Sequence, residues 1–224
     1  QFIFDQQNGV ESHIRETLGY DGELLPIFTT NRGRVVHKWH HYIPLYDKYF
    51  AKYRGTKARM LEIGVSQGGS LSMWRKYFGN DAVIYGIDID PSCAEFSGSD
   101  GQVRIGSQDD KDFLMSVVNE MGGLDIVLDD GSHQMKHIRK TLQLLFPLVS
   151  FGGTYFIEDL HTCYWREWGG SYGSKQSFFH VIGELINDMH HWYHDSELRH
   201  PEIGACLSGI HVHDSIVVLE KNIV

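Results

Sequence analysis

The chain has 224 residues, 42% of them hydrophobic, and a formal net charge of −9, which suits one large α/β domain with a sizeable core. That acidity argues against nucleic acid as a partner, because phosphate binding needs a basic surface, and no run approaches the roughly 20 apolar residues of a membrane span. The three cysteines (Cys93, Cys163, Cys206) are scattered; they give neither a disulfide framework nor a CxxC metal knuckle, which suits a reducing cytoplasm.

The start, Gln1-Phe2-Ile3-Phe4-Asp5, has neither the basic nor the apolar region of a secretion signal and no initiator methionine, so further residues are expected upstream. Residues 1–33 read as a mixed lead-in with a short helix near Val10–Leu18. An aromatic helix is expected from Pro44, since proline suits a first helical position and Leu45, Tyr46, Tyr49, Phe50 and Tyr53 share one face. Trp39, His40, His41 and Tyr42 precede it and suit a lid, core packing or an oligomer contact alike.

From there strands and helices alternate. Strands are expected at Arg59–Val65, Val83–Ile89, Val103–Ile105, Leu124–Asp129 and Thr154–Glu158, short apolar runs bounded by glycine and too short for helices. Helices are expected at Ser70–Phe78, Asp110–Met121, Gln134–Val149 and Gln176–Tyr193. The end pairs two strands near Leu207–Val212 and Ser215–Glu220 through a turn at His213-Asp214. The expectation is a helical extension or lid over 1–55 and one α/β domain over 56–224. Its sheet would be doubly wound, seven-stranded and mostly parallel, with helices on both faces and an antiparallel C-terminal strand. That layout resembles class I S-adenosylmethionine methyltransferases.

The histidine count is fourteen, and many lie between His180 and His213. His190 and His194 stand at i and i+4, but no acidic or cysteine partner lies at ligand spacing, so a solvated helix face is the reading preferred to zinc.

Leu61-Glu62-Ile63-Gly64-Val65-Ser66-Gln67-Gly68-Gly69-Ser70 joins the first strand to the next helix. Glycines there let the backbone turn sharply and approach a ligand. A dinucleotide fold would show GxGxxG with pyrophosphate on the helix N-terminus; here Ser66 stands at the middle glycine position, between Gly64 and Gly68. Glu62 repels a pyrophosphate and suits the ammonium of an amino-acid cofactor. Downstream, Asp88 ends the second strand where a carboxylate grips ribose hydroxyls, and Gln108 and Asp109 follow the third, in position to read an adenine edge. S-adenosylmethionine is therefore read over a nicotinamide cofactor, with Gly64, Gly68 and Ser70 shaping its loop.

Two acidic clusters end neighbouring strand runs: Asp129-Asp130-Gly131-Ser132-His133, and Glu158-Asp159. Carboxyl ends of parallel strands open on one crevice, so Asp130, Glu158 and Asp159 are expected to face one another and to repel unless a cation lies between them. Oxygen ligands without cysteine suit a hard ion such as magnesium, and His133 lies close enough to serve as base. Asp129 faces the other side of its strand or supports the site. Read singly, Asp130 equally suits a helix cap near Gln134, and the carboxylates alone suit a metal-dependent hydrolase or hydroxylase as well. His161, Tyr164 and Trp165 follow on a loop and suit sugar contact or core alike, while His137 is read as helix surface.

The cofactor loop, IYGIDIDP (84–91), LDDGSH (128–133), FGGTYFIEDLHTCYW (151–165) and HVHDSIVVLEK (211–221) together resemble the metal-dependent sugar O-methyltransferases of macrolide biosynthesis. The similarity runs from about residue 35 to the end, and LDDGSH with the following ED is its most specific part. The resemblance implies that Asp130, Glu158 and Asp159 are the magnesium ligands and His133 the catalytic base, with Gly64, Asp88, Gln108 and Asp109 around the cofactor. It further implies an enzyme of antibiotic biosynthesis acting on a glycosylated small molecule; 12% aromatic content and the exposed-looking amino-terminal helix suit a homo-oligomer. Its members carry an amino-terminal auxiliary domain for which this chain has little room. A non-catalytic cofactor-binding subunit would keep the same motifs.

Overall fold

The apolar runs form a seven-stranded sheet in this computed structural model, which describes residues 9–222 and so leaves Gln1–Asp5 outside the described residues. The strands are β1 (Arg59–Ile63), β2 (Val83–Asp88), β3 (Gln102–Ile105), β4 (Leu124–Asp129), β5 (Val149–Ile157), β6 (Leu207–His213) and β7 (Ile216–Lys221). Their order is β3-β2-β1-β4-β5-β7-β6. β1 to β5 run parallel, and β7 lies antiparallel to both β5 and β6. This is the class I methyltransferase fold expected from the sequence.

Side chains alternate across a strand, and each face of the sheet builds its own core. Leu61, Val127, Tyr155 and Ile157 pack with the helices Lys111–Met121, Met135–Leu145 and Phe178–Met189. Met60, Ile126, Leu128 and Phe156 pack with Tyr42–Phe50 and Gly69–Phe78. The aromatic helix Tyr42–Phe50 thus shares a core with the sheet, as do Ile14, Leu24 and Leu25 of the lead-in.

Several boundaries differ from the sequence expectation. The aromatic helix starts at Tyr42, so Pro44 is its third residue, still in the first turn, where its missing N–H breaks no helical bond. A short helix, Leu24–Thr29, was not expected; Pro26 lies in its first turn. The helix begun near Gln134 stops at Leu145, since Pro147 has no amide to continue the ladder, and β5 then starts at Val149. The long helix is confined to Phe178–Met189, with the Ser177 side chain accepting from the Phe179 amide at its start. The closing turn is Asp214-Ser215, with Ser215 at φ 64°. Among the described residues no helix is long and apolar enough to cross a membrane.

The strand order reverses at β1, which has β2 on one side and β4 on the other. Ligands bind at such switch points, beyond the carboxyl ends of the strands. The register brings the chemistry there: Ile63 pairs with Asp129, and Asp129 pairs with Ile157. The Glu158 amide then donates to the Asp129 carbonyl at 3.1 Å. Asp129-Asp130 and Glu158-Asp159 are therefore neighbours by strand pairing.

Candidate active site

A cavity of about 700 Å³ opens at this switch point, lined by Gly64, Ser66, Asp88, Gly106, Asp130 and His133, among others; it is large enough for a nucleoside-sized ligand. Gly64 has φ 93°, and a Cβ there would stand 2.0 Å from the Asp130 carbonyl oxygen. Close approach of the two loops is thus the reason for glycine at this position. Asp88 secures the loop from below: one carboxylate oxygen accepts from the Val65 and Ser66 amides at 2.9 and 3.0 Å, the other from the Asp90 amide at 2.9 Å. A carboxylate has about four lone-pair sites, which leaves Asp88 capacity for a ligand hydroxyl at the cavity wall.

Gly64→Ala is expected to lower stability by about 1–3 kcal/mol and to weaken cofactor binding in the same protein. Urea unfolding with a cofactor titration checks it, and a wild-type midpoint with wild-type affinity would contradict the close-approach reading.

The other residues assigned to the cofactor have less direct positions. Ser70 lines the cavity and donates to Glu62 at 2.7 Å, and Trp74 Nε1 donates to the second Glu62 oxygen at 3.2 Å. Glu62 is fully buried and outside the cavity lining; burial raises its carboxyl to about 7, with Lys38 pulling the other way. Gln108 lines the cavity, yet its amide is spent inside the protein: Nε2 donates to Asp129 and Thr141, and Oε1 accepts from the Ser132 amide. Asp109 is exposed and outside the lining, where it accepts from the Ser107 hydroxyl at 2.5 Å. Gly68 also lies outside the lining and caps the Gly69–Phe78 helix at φ 72°. Asp129 is buried, accepts from Gln108 and the Gly131 amide, and is raised to about 7 by burial. It lies on the sheet face opposite Asp130 and takes no part in the acidic cluster.

His137, read as helix surface, instead lines the cavity. Its Nδ1 lies 2.7 Å from the Ser132 hydroxyl.

Asp130, His133 and Asp159 converge at the cavity rim. His133 Nε2 is 3.7 Å from Asp130 Oδ1 and 3.7 Å from Asp159 Oδ2, and the three ligand atoms lie within 4.8 Å of one another. That donor set and spacing fit a divalent ion. It is the one such grouping among the described residues, so the histidines between His180 and His213 form none. Asp130 does not cap the following helix, whose cap position is Gln134.

Glu158 is placed differently. Its carboxylate accepts from the Tyr46 hydroxyl and from Lys38 Nζ, the latter at 2.7 Å. Lys38 also donates to Asp130 Oδ2 at 2.5 Å and stands 4.0 Å from Glu62. Burial, and then the neighbouring Asp130, raise Glu158 well above the usual carboxylate range, while Lys38 opposes them. Burial works against the Lys38 charge, but Asp130, Glu158 and Glu62 outweigh it and hold the ammonium well above its ordinary value.

Lys38, Tyr42 and Tyr46 are the site residues that sequence reasoning missed. Tyr42 donates to Asp159 Oδ1 at 2.7 Å, and its oxygen accepts from the Asp159 amide at 3.3 Å. The available signal was the i, i+4 spacing of the two tyrosines, hidden because Tyr46 reads as part of the apolar stripe and Tyr42 as preceding the helix.

Backbone strain concentrates here too. The non-glycine residues at positive φ are Ser66, His133, Asp159 and Ser215 among the described residues. The first three line the cavity, and Ser215 bonds the His161 ring. Such conformations cost energy and persist where surrounding structure over-determines them.

A second, smaller cavity of about 230 Å³ lies beyond Lys38, lined by His37, Lys38, Trp39, His40, Tyr42, Glu158 and Asp159. Trp39 meets His161 edge-on at 6.2 Å, and His161 meets Trp165 at 4.8 Å. Trp165 and Tyr164 are exposed, which removes the core reading for Trp165.

Residues 61–160 match a family described as a methyltransferase domain. Over 98% of its length the chain is 39% identical to the 8-demethyl-8-(2-methoxy-alpha-L-rhamnosyl)-tetracenomycin-C 3'-O-methyltransferase of Streptomyces olivaceus, covering 59% of that protein. It is 36% identical, over 81% of its length, to the mycinamicin VI 2''-O-methyltransferase of Micromonospora griseorubida, covering 48% of it. Among solved structures, the MycE methyltransferase from the mycinamycin biosynthetic pathway in complex with Mg and SAH matches with a TM-score of 0.76 at 33% identity. That match covers 84% of this chain and 50% of MycE. The chain thus spans between 48% and 59% of the length of these relatives. Strand order, glycine loop and sequence agree: the chain carries a methyltransferase domain of the class I fold and is similar to sugar O-methyltransferases of macrolide and tetracenomycin pathways.

Proposed function

We propose that the chain transfers a methyl group from S-adenosylmethionine to a sugar hydroxyl of a glycosylated small molecule, with a divalent cation such as Mg²⁺ at the acidic cluster. One observation carries this reading: Asp130, His133 and Asp159 line the same cavity as the glycine loop and Asp88. Proton acceptor and cofactor loop therefore share one volume.

When bound, the cofactor supplies an electrophilic methyl on a sulfonium that is its own leaving group, and a hard cation favours ionisation of a coordinated hydroxyl. The protein's part is mainly alignment. Gly64 and Ser66 let the loop lie against the cofactor, and Asp88 accepts from its ribose. Asp130, Glu158 and Asp159 would hold the cation, Glu158 only when free of Lys38; ligand oxygens of Asp130 and Asp159 already lie within 4.8 Å of each other. His133 Nε2, 3.7 Å from an oxygen of each aspartate, takes the hydroxyl proton. Three unpaired cysteines suit a cytoplasmic setting.

The test is labelled methyl transfer from S-adenosylmethionine to a panel of rhamnosylated tetracenomycins and macrolide glycosides, alongside calorimetric titration of the cofactor. Cofactor binding with label in at least one glycoside is expected. Failure to bind the cofactor would point to a hydrolase or hydroxylase on the same carboxylates. Binding without transfer to any acceptor would point to a non-catalytic subunit.

A further inference from the structure

The acidic cluster already contains a cation. Lys38 Nζ lies within hydrogen-bond reach of both Asp130 Oδ2 and Glu158 Oε1, and its side chain is 3% exposed. It comes from a stretch without regular secondary structure, between Arg34 and Trp39, whose residues Val35 to Lys38 line the cavity. Two contacts seat that stretch. A Cβ on Gly69 would stand 2.1 Å from the Val35 carbonyl oxygen, so the stretch lies directly on the start of the glycine-loop helix. The Arg34 guanidinium covers the Phe96 ring at 4.6 Å.

Asp130 is divided by this arrangement. One oxygen serves Lys38, and the other faces His133 and Asp159. Glu158 is spent on Lys38 and Tyr46. With Lys38 inserted, the group left for an ion is Asp130, His133 and Asp159, which would engage the imidazole needed as base. With Lys38 withdrawn, Asp130 Oδ2 and Glu158 Oε1 lose their cation, an all-carboxylate set becomes available, and His133 is left free.

We propose that Lys38 is a tethered cation that competes with the divalent ion for Asp130 and Glu158, so that loading the ion expels Lys38 and shifts the Arg34–Trp39 stretch that lines the cavity. This rests on the proposed metal-dependent reading. The physical basis is mutual exclusion: two cations sharing the same buried carboxylate oxygens repel at short range in a medium far less screening than water. Lys38 also keeps the empty cluster intact, because buried carboxylates without a counter-charge are costly. It is a positioning residue: it sets which ligands the ion meets, and it touches no reacting atom.

The experiment is Mn²⁺ binding, read by electron paramagnetic resonance and calorimetry without acceptor, on wild-type protein, Lys38→Met and Lys38→Arg. Lys38→Met is expected to bind Mn²⁺ at least about tenfold more tightly than wild type, since a buried competing charge is gone. Its melting temperature should fall without the ion and recover with it. Lys38→Arg, which keeps the charge, should bind no more tightly than wild type. Equal or weaker binding by Lys38→Met would overturn the competition, since lysine and ion would then occupy the cluster together. Absence of Mn²⁺ binding by every form would instead overturn the metal reading beneath it. If Lys38→Met does not fold even with the ion, Lys38→Met/Glu158→Gln is compared with Glu158→Gln. The double variant should bind Mn²⁺ more tightly than the single, and equal affinities would reject the proposal.

Discussion

His133→Ala is expected to lower the rate of methyl transfer by about 10²–10⁴-fold, the usual contribution of a general base, while cofactor affinity stays within a few-fold of wild type. The imidazole is the one nitrogen ligand of the rim group, with Nε2 3.7 Å from an oxygen of each aspartate. In the proposed reaction a sugar hydroxyl brought between them would give its proton to that nitrogen. Alanine carries a complication, because His133 has φ 54° and only glycine, or a short polar residue such as asparagine, adopts that region readily. His133→Asn is therefore the companion variant: it tolerates the backbone and supplies no base. Both variants should lose turnover equally. A loss in alanine that asparagine restores would assign His133 a conformational role instead, and the measurement is kcat under saturating cofactor with the melting temperature recorded beside it.

Asp159→Asn should be nearly as damaging, by another route. The amide oxygen can still accept from Tyr42, which donates to Asp159 Oδ1 at 2.7 Å, and asparagine tolerates the φ of 58° at this position. Lys38 keeps both its partners, Asp130 and Glu158. What changes is the charge facing Asp130 and His133. Divalent-ion affinity is expected to fall by more than the roughly 10–100-fold typical of outer-shell substitutions, with turnover falling in parallel and partly recovering at high Mg²⁺. A chelator should abolish the remaining activity in wild type and variant alike. Full turnover in excess chelator would remove the metal from the mechanism, and wild-type ion affinity in Asp159→Asn would remove Asp159 from its ligands.

Much of the site was legible because the sheet is parallel. Strands buried on both faces read as short apolar runs, and the residues just past them must meet at the carboxyl edge. Asp88, Asp130, Glu158 and Asp159 each follow or end such a run, so their proximity could be inferred without coordinates. Face parity was harder to use. Asp129 and Asp130 are adjacent in sequence, yet Asp129 joins Gln108 and Tyr155 on one face while Asp130 joins Lys38 on the other. Gln108 and Asp109 follow β3, where the sequence expects the cofactor; Gln108 does line the cavity, while both side chains also bond within the protein, to Asp129, Thr141 and Ser107. His137 departs from its surface reading: on an outward-reading helix turn, it lines the cavity because the Asp130–Gln134 loop folds back toward it.

The sequence by itself determined the strand-and-helix alternation, the carboxyl-edge location of the site and the kinds of residue gathered there. Hydrophobic period and glycine spacing are local properties, and they carry that information directly. Only the tertiary structure decided what neutralises the carboxylates. Lys38 lies 92 residues from Asp130 and 120 from Glu158, and Tyr46 lies 112 from Glu158. No spacing rule reaches that far; the contact exists because the Tyr42–Phe50 helix packs its aromatic face on Phe156 and brings the residues before it across the strand ends. The repulsion among the carboxylates was predictable from composition and order. Its relief by a lysine rather than by an ion alone was a matter of which chain segment the core draws over the site.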